Sequence, residues 1–271
     1  VTSFWTNLGQ NLELYKKYKV LSQSAEFAQL DHAQRKVIEN SLRDFRLGGA
    51  ELSDDQKIRF AEIQDQQAQL SKEFSDHVLD ATDFFVHVIT DEQDLAGLPE
   101  DAIAAAKQTA ESKDITGWAF TLHFPSYFPV MQFSENRLLR KKLYEAYVTR
   151  ASELSEKFGS GKADWDNTNN MLLQLRLKDE EAKMLGFANY AALSLAPKMA
   201  KTVAEVDQFL SDFAKRAQSH GQKDWEELQV FAKEHLDISS LEPWDMAFVS
   251  EKLKQVRYAF SENEVKQYFP L

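Results

Sequence analysis

The sequence predicts a mainly α-helical fold that carries a small antiparallel β element. Glycine and proline are scarce, nine and six among 271 residues. Apolar residues recur three and four positions apart through most of the chain, which is the spacing of one helical face. Only two short segments are rich in β-branched and aromatic residues. The length allows one large domain or two small ones with an ample core, and we expect one helical domain over residues 1–271.

Local signals place the first helices. An apolar stripe runs from Phe60 to Ala81, and Ser53 with Gln56 forms a capping box at the head of that helix. Further stripes over residues 139–154 and 172–185 predict two more helices, and Gly186 ends the second.

The longest stripe extends from Val203 to Ala232, about 30 residues, which is roughly 45 Å of helix. Its spacing predicts that Val206, Leu210 and Phe213 are buried. Pro243 is expected to open a further helix, and Ser261 with Glu264 to cap a short one that Pro270 ends.

Short strands are expected near residues 84–89, 118–124 and 129–133. The last two are predicted to form a hairpin around the turn Pro125-Ser126-Tyr127. Trp118, Tyr127 and Phe128 flank this hairpin and are candidates for exposure in a peptide groove, against the more common role of aromatic residues in core packing.

Composition excludes several classes of function. The chain has 43 acidic and 32 basic side chains, a net charge of -11 that repels nucleic acid. No run approaches the ~18 apolar residues that would span a membrane, and no signal-peptide pattern occurs at the start. The absence of cysteine fits a reducing cytoplasm. A first residue of Val1 rather than Met leads us to expect a fragment of a longer protein.

The residues offer no catalytic or metal site, so we expect neither. No two of the six histidines lie within nine residues of each other, whereas a zinc helix needs His at i and i+4. Glu234-His235 lacks that second His, and we interpret His235 as a helix C-terminal residue. Gly159-Ser160-Gly161-Lys162 lacks the remaining residues of a phosphate-binding loop and is expected to be a flexible surface loop.

Carboxylate clusters at residues 179–181 and 226–227 stand among lysines and are expected to be solvated helix faces. Chemistry with paired carboxylates, as in glycosidases, stays open from the sequence. No Gly-x-Ser-x-Gly elbow occurs, so serine hydrolysis has no support.

Several longer strings carry a resemblance to a known family. They are Arg43-Asp44-Phe45-Arg46-Leu47-Gly48-Gly49, Leu95-Ala96-Gly97-Leu98-Pro99, His123-Phe124-Pro125-Ser126-Tyr127-Phe128-Pro129-Val130-Met131, Leu185-Gly186-Phe187-Ala188-Asn189-Tyr190, and Pro243-Trp244-Asp245 followed by Ser250-Glu251-Lys252 and Tyr268-Phe269-Pro270. Together they closely resemble the thimet oligopeptidase / oligopeptidase A family of zinc metallopeptidases.

The resemblance implies an enzyme whose zinc, held by a His-Glu-x-x-His helix and a later Glu, activates water to hydrolyse short oligopeptides. It also implies that these motifs lie upstream of the metal-binding helix, so we expect this chain alone to be inactive. It would bind no zinc itself and form one wall of a peptidase channel that a missing C-terminal part completes. The alternative is a non-catalytic helical interaction or scaffold protein. A His-Glu-x-x-His motif encoded after Leu271 would decide for the peptidase.

Overall fold

A computed structural model describes residues 1–258 and 268. The described residues form twelve α-helices and two strands, which confirms the predicted mainly α fold. The capping box expected at Ser261 and Glu264 and the helix end expected at Pro270 lie outside the described residues. In chain order the elements are α1 Thr2–Gly9, α2 Leu12–Ser22, α3 Ala25–Gln29, α4 His32–Leu47, α5 Asp54–Phe84, β1 Val86–Ile89, α6 Glu100–Ser112, β2 Trp118–Thr121, α7 Phe124–Phe133, α8 Arg137–Val148, α9 Thr168–Met184, α10 Tyr190–Leu195, α11 Val203–His235 and α12 Met246–Tyr258.

The chain divides into two compact units. The first comprises residues 1–75 and 168–214, and the second comprises residues 76–167 and 215–271. The single helical domain over 1–271 stays a prediction.

In the first unit, α2 and α1 pack against α4, and α9 is linked to α5 by charged and polar side chains. Arg59 of α5 binds both carboxylate oxygens of Glu180, at 2.7 and 2.8 Å. The amides of Gln64 and Gln67 each donate to Glu181 at 2.8 Å. Glu180 and Glu181 therefore join two helices, which the interpretation as a solvated face did not predict. Such pairing cannot be predicted from local spacing, because the partners are more than 110 residues apart. Glu180 is nevertheless partly exposed, and Asp179 forms the expected i,i+4 pair with Lys183 on the surface.

The predicted start of α5 is confirmed. The amide oxygen of Gln56 accepts from the backbone N–H of Ser53, and the Ser53 hydroxyl accepts from the N–H of Gln56. These two bonds are the reciprocal pair of a capping box, which satisfies donors that the first helical turn leaves unpaired.

The second unit contains the sheet. β1 and β2 pair antiparallel, with Val86 opposite Thr121 and Ile89 opposite Trp118. The strands expected near 84–89 and 118–124 are thus present, each shorter than predicted. Helix α6 packs on β2. The core between the sheet and the helices is built from buried apolar side chains, among them Phe85, Ile89, Leu95, Phe120, Leu122, Val130, Met131, Leu139 and Leu143.

The strand expected near 129–133, and with it the hairpin, is wrong, because residues 124–133 form α7. Pro125 stands in the first turn, where its missing N–H is not needed. Tyr127, Val130 and Met131 are buried, and their i, i+3, i+4 spacing puts them on one helical face toward the core. The spacing of a short apolar run does not by itself distinguish a helix from a strand, and here the burial of one helical face favours the helix.

The long helix α11 is present as predicted, but the predicted burial of its stripe is wrong. Leu210 is 56% exposed and Phe213 is 66% exposed. Among its described residues, only Phe231 and Ala232 are buried, near its C-terminal end. There they pack with Ile238 and with Phe248 of α12 in a second, smaller core.

Two glycines are expected to respond in opposite ways to alanine. Gly117 precedes β2 at a φ of +112°, and a Cβ there would lie 2.2 Å from the carbonyl oxygen of Ile89. Gly117→Ala should therefore cost about 1–3 kcal/mol of unfolding free energy. Gly221 lies within α11 with nothing within 4 Å of an added Cβ, so Gly221→Ala should stabilise by about 0.5–1 kcal/mol. Urea titration of both variants checks the signs, and two equal changes would contradict the assigned backbone geometry.

Candidate functional site

The string Glu242-Pro243-Trp244-Asp245 forms the centre of a buried ionic cluster in the second unit. Pro243–Asp245 is one turn of 3₁₀ helix leading into α12, and Glu242 and Asp245 cap it reciprocally. The Asp245 carboxylate is fully buried. It accepts from Arg137 Nη2 at 2.6 Å and from Arg140 Nη2 at 2.7 Å, both on α8. One carboxylate thus joins α8 to the start of α12.

The guanidinium of Arg140 makes hydrogen bonds through all three of its nitrogens and also contacts an aromatic ring. It is 1% exposed, and it donates through Nε to the carbonyl of Trp244 at 3.2 Å and through Nη1 to that of Ser134 at 2.6 Å. Its guanidinium lies 4.0 Å from the centre of the Phe248 ring. A guanidinium held by two carbonyls and a carboxylate is satisfied despite its burial.

Burial and hydrogen bonding shift the pKa values of these three side chains in opposite directions. Burial raises the pKa of Asp245, but hydrogen bonds from Arg137 and Arg140 outweigh it, so the pKa lies below its ordinary value. The hydrogen bond to Asp245 raises the pKa of Arg137. Burial lowers the pKa of Arg140, which the bond to Asp245 opposes. The cluster therefore keeps its carboxylate ionised at neutral pH.

Glu251 of α12 forms a second buried carboxylate site. It is 4% exposed and accepts from Gln132 of α7 at 2.9 Å, from Gln255 at 3.0 Å and from Lys254 at 2.7 Å. Burial raises its pKa, while the bonds from Lys254 and the two glutamines lower it below the ordinary value. The Ser250-Glu251-Lys252 part of the motif thus joins α12 to α7.

Two clefts border Arg137. One, of about 280 Å³, is lined by Lys141, Ser240, Glu242 and Trp244 among others. The other, of about 390 Å³, is lined by Glu135, Leu236, Ile238, Phe248 and Lys252 among others. They give the cluster access to solvent through the half-exposed Arg137. The sequence did not predict either arginine as a partner of Asp245, since more than 100 residues separate them.

The six histidines do not converge. His77 Nδ1 lies 2.9 Å from the Asn167 amide oxygen, and His123 Nε2 lies 2.7 Å from Asp83. Burial lowers the pKa of His87, and His235 lies in the last turn of α11 as predicted. Over residues 1–258 and 268, no three His, Asp or Glu side chains are grouped so that they could hold a metal ion. The described residues therefore do not fit a zinc site, which needs three or four such ligands.

The loop at Gly159-Ser160-Gly161 differs from the flexible surface loop that we expected. Ser160 is fully buried, its N–H donates to the Ser155 carbonyl at 2.8 Å, and its hydroxyl lies 3.2 Å from that of Thr149. A Cβ on Gly161 would approach Ser155 and Trp165 at 3.2 and 3.3 Å. A side chain at position 161 would therefore be tightly packed against these two residues.

The three aromatic residues proposed for a peptide groove are not equally exposed. Tyr127 is 7% exposed and stacks on Tyr147 at 4.0 Å, so its placement in a groove is wrong. Burial raises its pKa to about 12. Trp118 is half-buried beside Lys107, and only Phe128, 37% exposed, presents much of its ring to solvent.

Comparison with known proteins identifies the family of the chain. The sequence model described as Neurolysin/Thimet oligopeptidase, N-terminal domain, matches residues 1–57, and that of Peptidase family M3 matches residues 130–271. The chain belongs to peptidase family M3. The M3 match includes the ionic cluster, since α8, the 3₁₀ turn and the described part of α12 all lie within it.

Individual relatives align with this chain over its whole length or nearly so. It is 46% identical to oligopeptidase A of Haemophilus influenzae and 43% identical to oligopeptidase A of Escherichia coli, in each case over 100% of this chain and 39% of the relative. A probable cytosolic oligopeptidase A of Arabidopsis thaliana is 37% identical over 99% of the chain and 38% of that protein. The chain thus spans about two fifths of the length of these curated relatives. Among the residues that the structure describes, no helix is long and apolar enough to cross a membrane.

Proposed function

We propose that this chain is the helical, non-catalytic part of an M3 oligopeptidase that hydrolyses short peptides. The observation that carries the proposal is the alignment of the entire chain with two fifths of each oligopeptidase A relative. The sequence, meanwhile, contains no His-Glu-x-x-His motif. The zinc and the groups that activate water would be supplied by a further C-terminal part, and the cytoplasm is the proposed location.

The contribution of this chain is to hold helices in place. Asp245 and Glu251, whose carboxylates are buried, join α12 to α8 and α7. We propose that these helices belong to a wall of the channel that selects peptides by size. Rigid internal ion clusters suit that task, because a wall that limits size must not yield to the substrate.

The chain by itself is expected to be inactive. Incubated with a quenched fluorescent oligopeptide and zinc, it should give no turnover above buffer, because none of its described histidines and carboxylates is grouped to hold the ion. The same assay with an intact relative, such as the Escherichia coli oligopeptidase A, is the positive control. Chelator-sensitive turnover that co-elutes with this chain would overturn the proposal.

Complementation with a C-terminal part provides a second test of the proposal. A separately produced C-terminal part of the relative, added to this chain, should restore turnover, and Asp245→Asn should weaken that restoration by loosening α12. Asp179→Asn, which removes only an exposed pair with Lys183, is the matched control and should leave restoration unchanged. Equal restoration by both variants would contradict a role of the cluster in the wall.

A further inference from the structure

The long helix α11 carries an apolar stripe that is exposed over most of its length. Leu210, Phe213 and Trp225 of this stripe are 56%, 66% and 36% exposed. Phe209, beside it, is 69% exposed, and its ring stacks on that of Phe213 with 6.5 Å between the ring centres. Every residue from 207 to 227 is exposed, whichever face of the helix it occupies. Helices in proteins obtain most of their stability by packing an apolar face, and the described part of the chain supplies little such packing here.

The C-terminal end of the same stripe is covered. Phe231 and Ala232 are buried there in the smaller core with Phe248 of α12. Leu228 packs against the same core. Positions 221, 225, 228 and 232 follow one another at helical spacing, so they share one face of α11. The exposed stripe is therefore a continuation of the interface between α11 and α12.

The direction of α12 leads along this stripe. The beginning of α12, at Phe248, lies in the core near the end of α11. Further along α12, Arg257 pairs with Glu227, which precedes that core in α11. The two helices therefore run antiparallel, and α12 reaches its described end at Tyr258 beside the point where the stripe becomes exposed.

The sequence of α11 is suited to the burial of this face by a partner. Val206, Leu210, Phe213 and Ala217 are four and three positions apart, which places them on one side of the helix. The opposite side carries charged residues, namely Asp212, Lys215, Lys223 and Glu226. An amphipathic helix of this kind normally turns its apolar face toward another part of the structure. The burial that the spacing predicts would then be reached when that part is present.

Most of an M3 oligopeptidase lies outside this chain, which covers 39% of each bacterial oligopeptidase A relative. We propose that the stripe from Val206 to Trp225, about 30 Å of helix, is the docking surface for the C-terminal part of the M3 protein. This part lays an apolar face along the stripe, as α12 does at Leu228. The inference rests on the proposed function, because it takes the missing part of that peptidase as the partner.

A second copy of the chain is a poorer occupant of the stripe. Two copies would bring together net charges of -11 each, which repel one another. The C-terminal part belongs to the same polypeptide, and the covalent link gives it a high effective concentration at α11. It also follows α12 in the chain, and α12 already lies on this face.

Hydrogen exchange, followed by mass spectrometry, tests the docking. The chain alone is compared with a longer polypeptide, in which it is followed by the remaining C-terminal part of the Haemophilus influenzae relative. The backbone amides of residues 207–227 should exchange at least about tenfold more slowly in the longer polypeptide, because packing suppresses local opening of the helix.

Two substitutions separate docking on the stripe from a general gain of stability. Phe213→Asp places a charge on the stripe, and Gln208→Asp places the same charge on the opposite side of α11. Both residues are exposed in the chain, so both variants keep the fold. In the longer polypeptide, Phe213→Asp should remove most of the protection of residues 207–227, whereas Gln208→Asp should leave it unchanged. Equal protection in the two variants, whether high or low, would overturn the docking surface.

The peptidase activity of the longer polypeptide keeps the two proposals distinguishable. An active polypeptide in which residues 207–227 exchange as fast as in the chain alone would overturn the docking surface and leave the peptidase proposal standing. An inactive one with slow exchange, reversed by Phe213→Asp, would support the docking surface and count against the peptidase proposal. Inactivity with fast exchange would overturn both. Slow exchange in the chain alone that strengthens with its concentration would assign the stripe to a second copy and overturn the inference.

Discussion

Replacing Asp245 by asparagine is expected to lower the free energy of unfolding by about 3–5 kcal/mol. The carboxylate is fully buried and binds Arg137 and Arg140, and Arg140 is itself 1% exposed. Asparagine keeps the shape but removes the negative charge, so a buried guanidinium loses its counter-ion. Urea titration, with midpoint and slope both determined, measures the loss.

The matched control is Asp179→Asn, which removes an exposed i,i+4 pair with Lys183 and should cost less than about 0.5 kcal/mol. A double variant that adds Arg140→Met should recover part of the loss, because an apolar side chain in place of the arginine leaves no uncompensated charge. Additive losses in the double variant would mean that the two residues do not interact.

The same substitution has a defined pH dependence. The pKa of Asp245 is lower in the folded chain than its ordinary value of 3.8. A group with a depressed folded pKa contributes stability above the unfolded pKa and loses it as the pH falls through the folded one. The difference in unfolding free energy between the native chain and Asp245→Asn should therefore have its full size at pH 7, and it should decrease as the pH falls below 3.8. A difference that increases in acid would show that another group carries the effect.

The ionic cluster also marks the limit of what local patterns can predict. The sequence correctly indicates a chain turn with acidic residues at Glu242-Pro243-Trp244-Asp245, since proline and carboxylates favour helix starts. It cannot indicate that Asp245 is buried, because its partners lie on α8, more than 100 residues earlier. The two arginines that bind Asp245 are distant in the chain, and rules based on local spacing do not contain such contacts.

Elements with strong local signals were predicted, while those decided by packing were not. The capping box at Ser53 and Gln56 starts α5 as expected. Residues 129–133, by contrast, belong to a helix. Its packing buries Val130 and Met131 in the core, and the spacing of the sequence alone does not reveal that packing.

Alanine in place of two phenylalanines is expected to have very different effects. Phe120 of β2 is 1% exposed within the core that contains Leu122, Val130 and Leu143. Phe120→Ala removes its ring from a packed site and leaves a cavity, so it should cost about 3–5 kcal/mol. Phe213 has the same side chain on α11 but is 66% exposed, so Phe213→Ala should cost less than about 1 kcal/mol.

Urea titration followed by both tryptophan fluorescence and far-UV circular dichroism compares the two variants. Coincident transitions are required, because a chain with two compact units can unfold in more than one step. A large loss in Phe213→Ala would show that the apolar stripe of α11 is covered in solution. Repeating the titration over a hundredfold range of concentration then separates the causes. A loss that grows with concentration means that copies of the chain cover the stripe, because only association depends on concentration. A constant loss would place the cover within one chain, and the exposure of Leu210 and Phe213 would then be wrong.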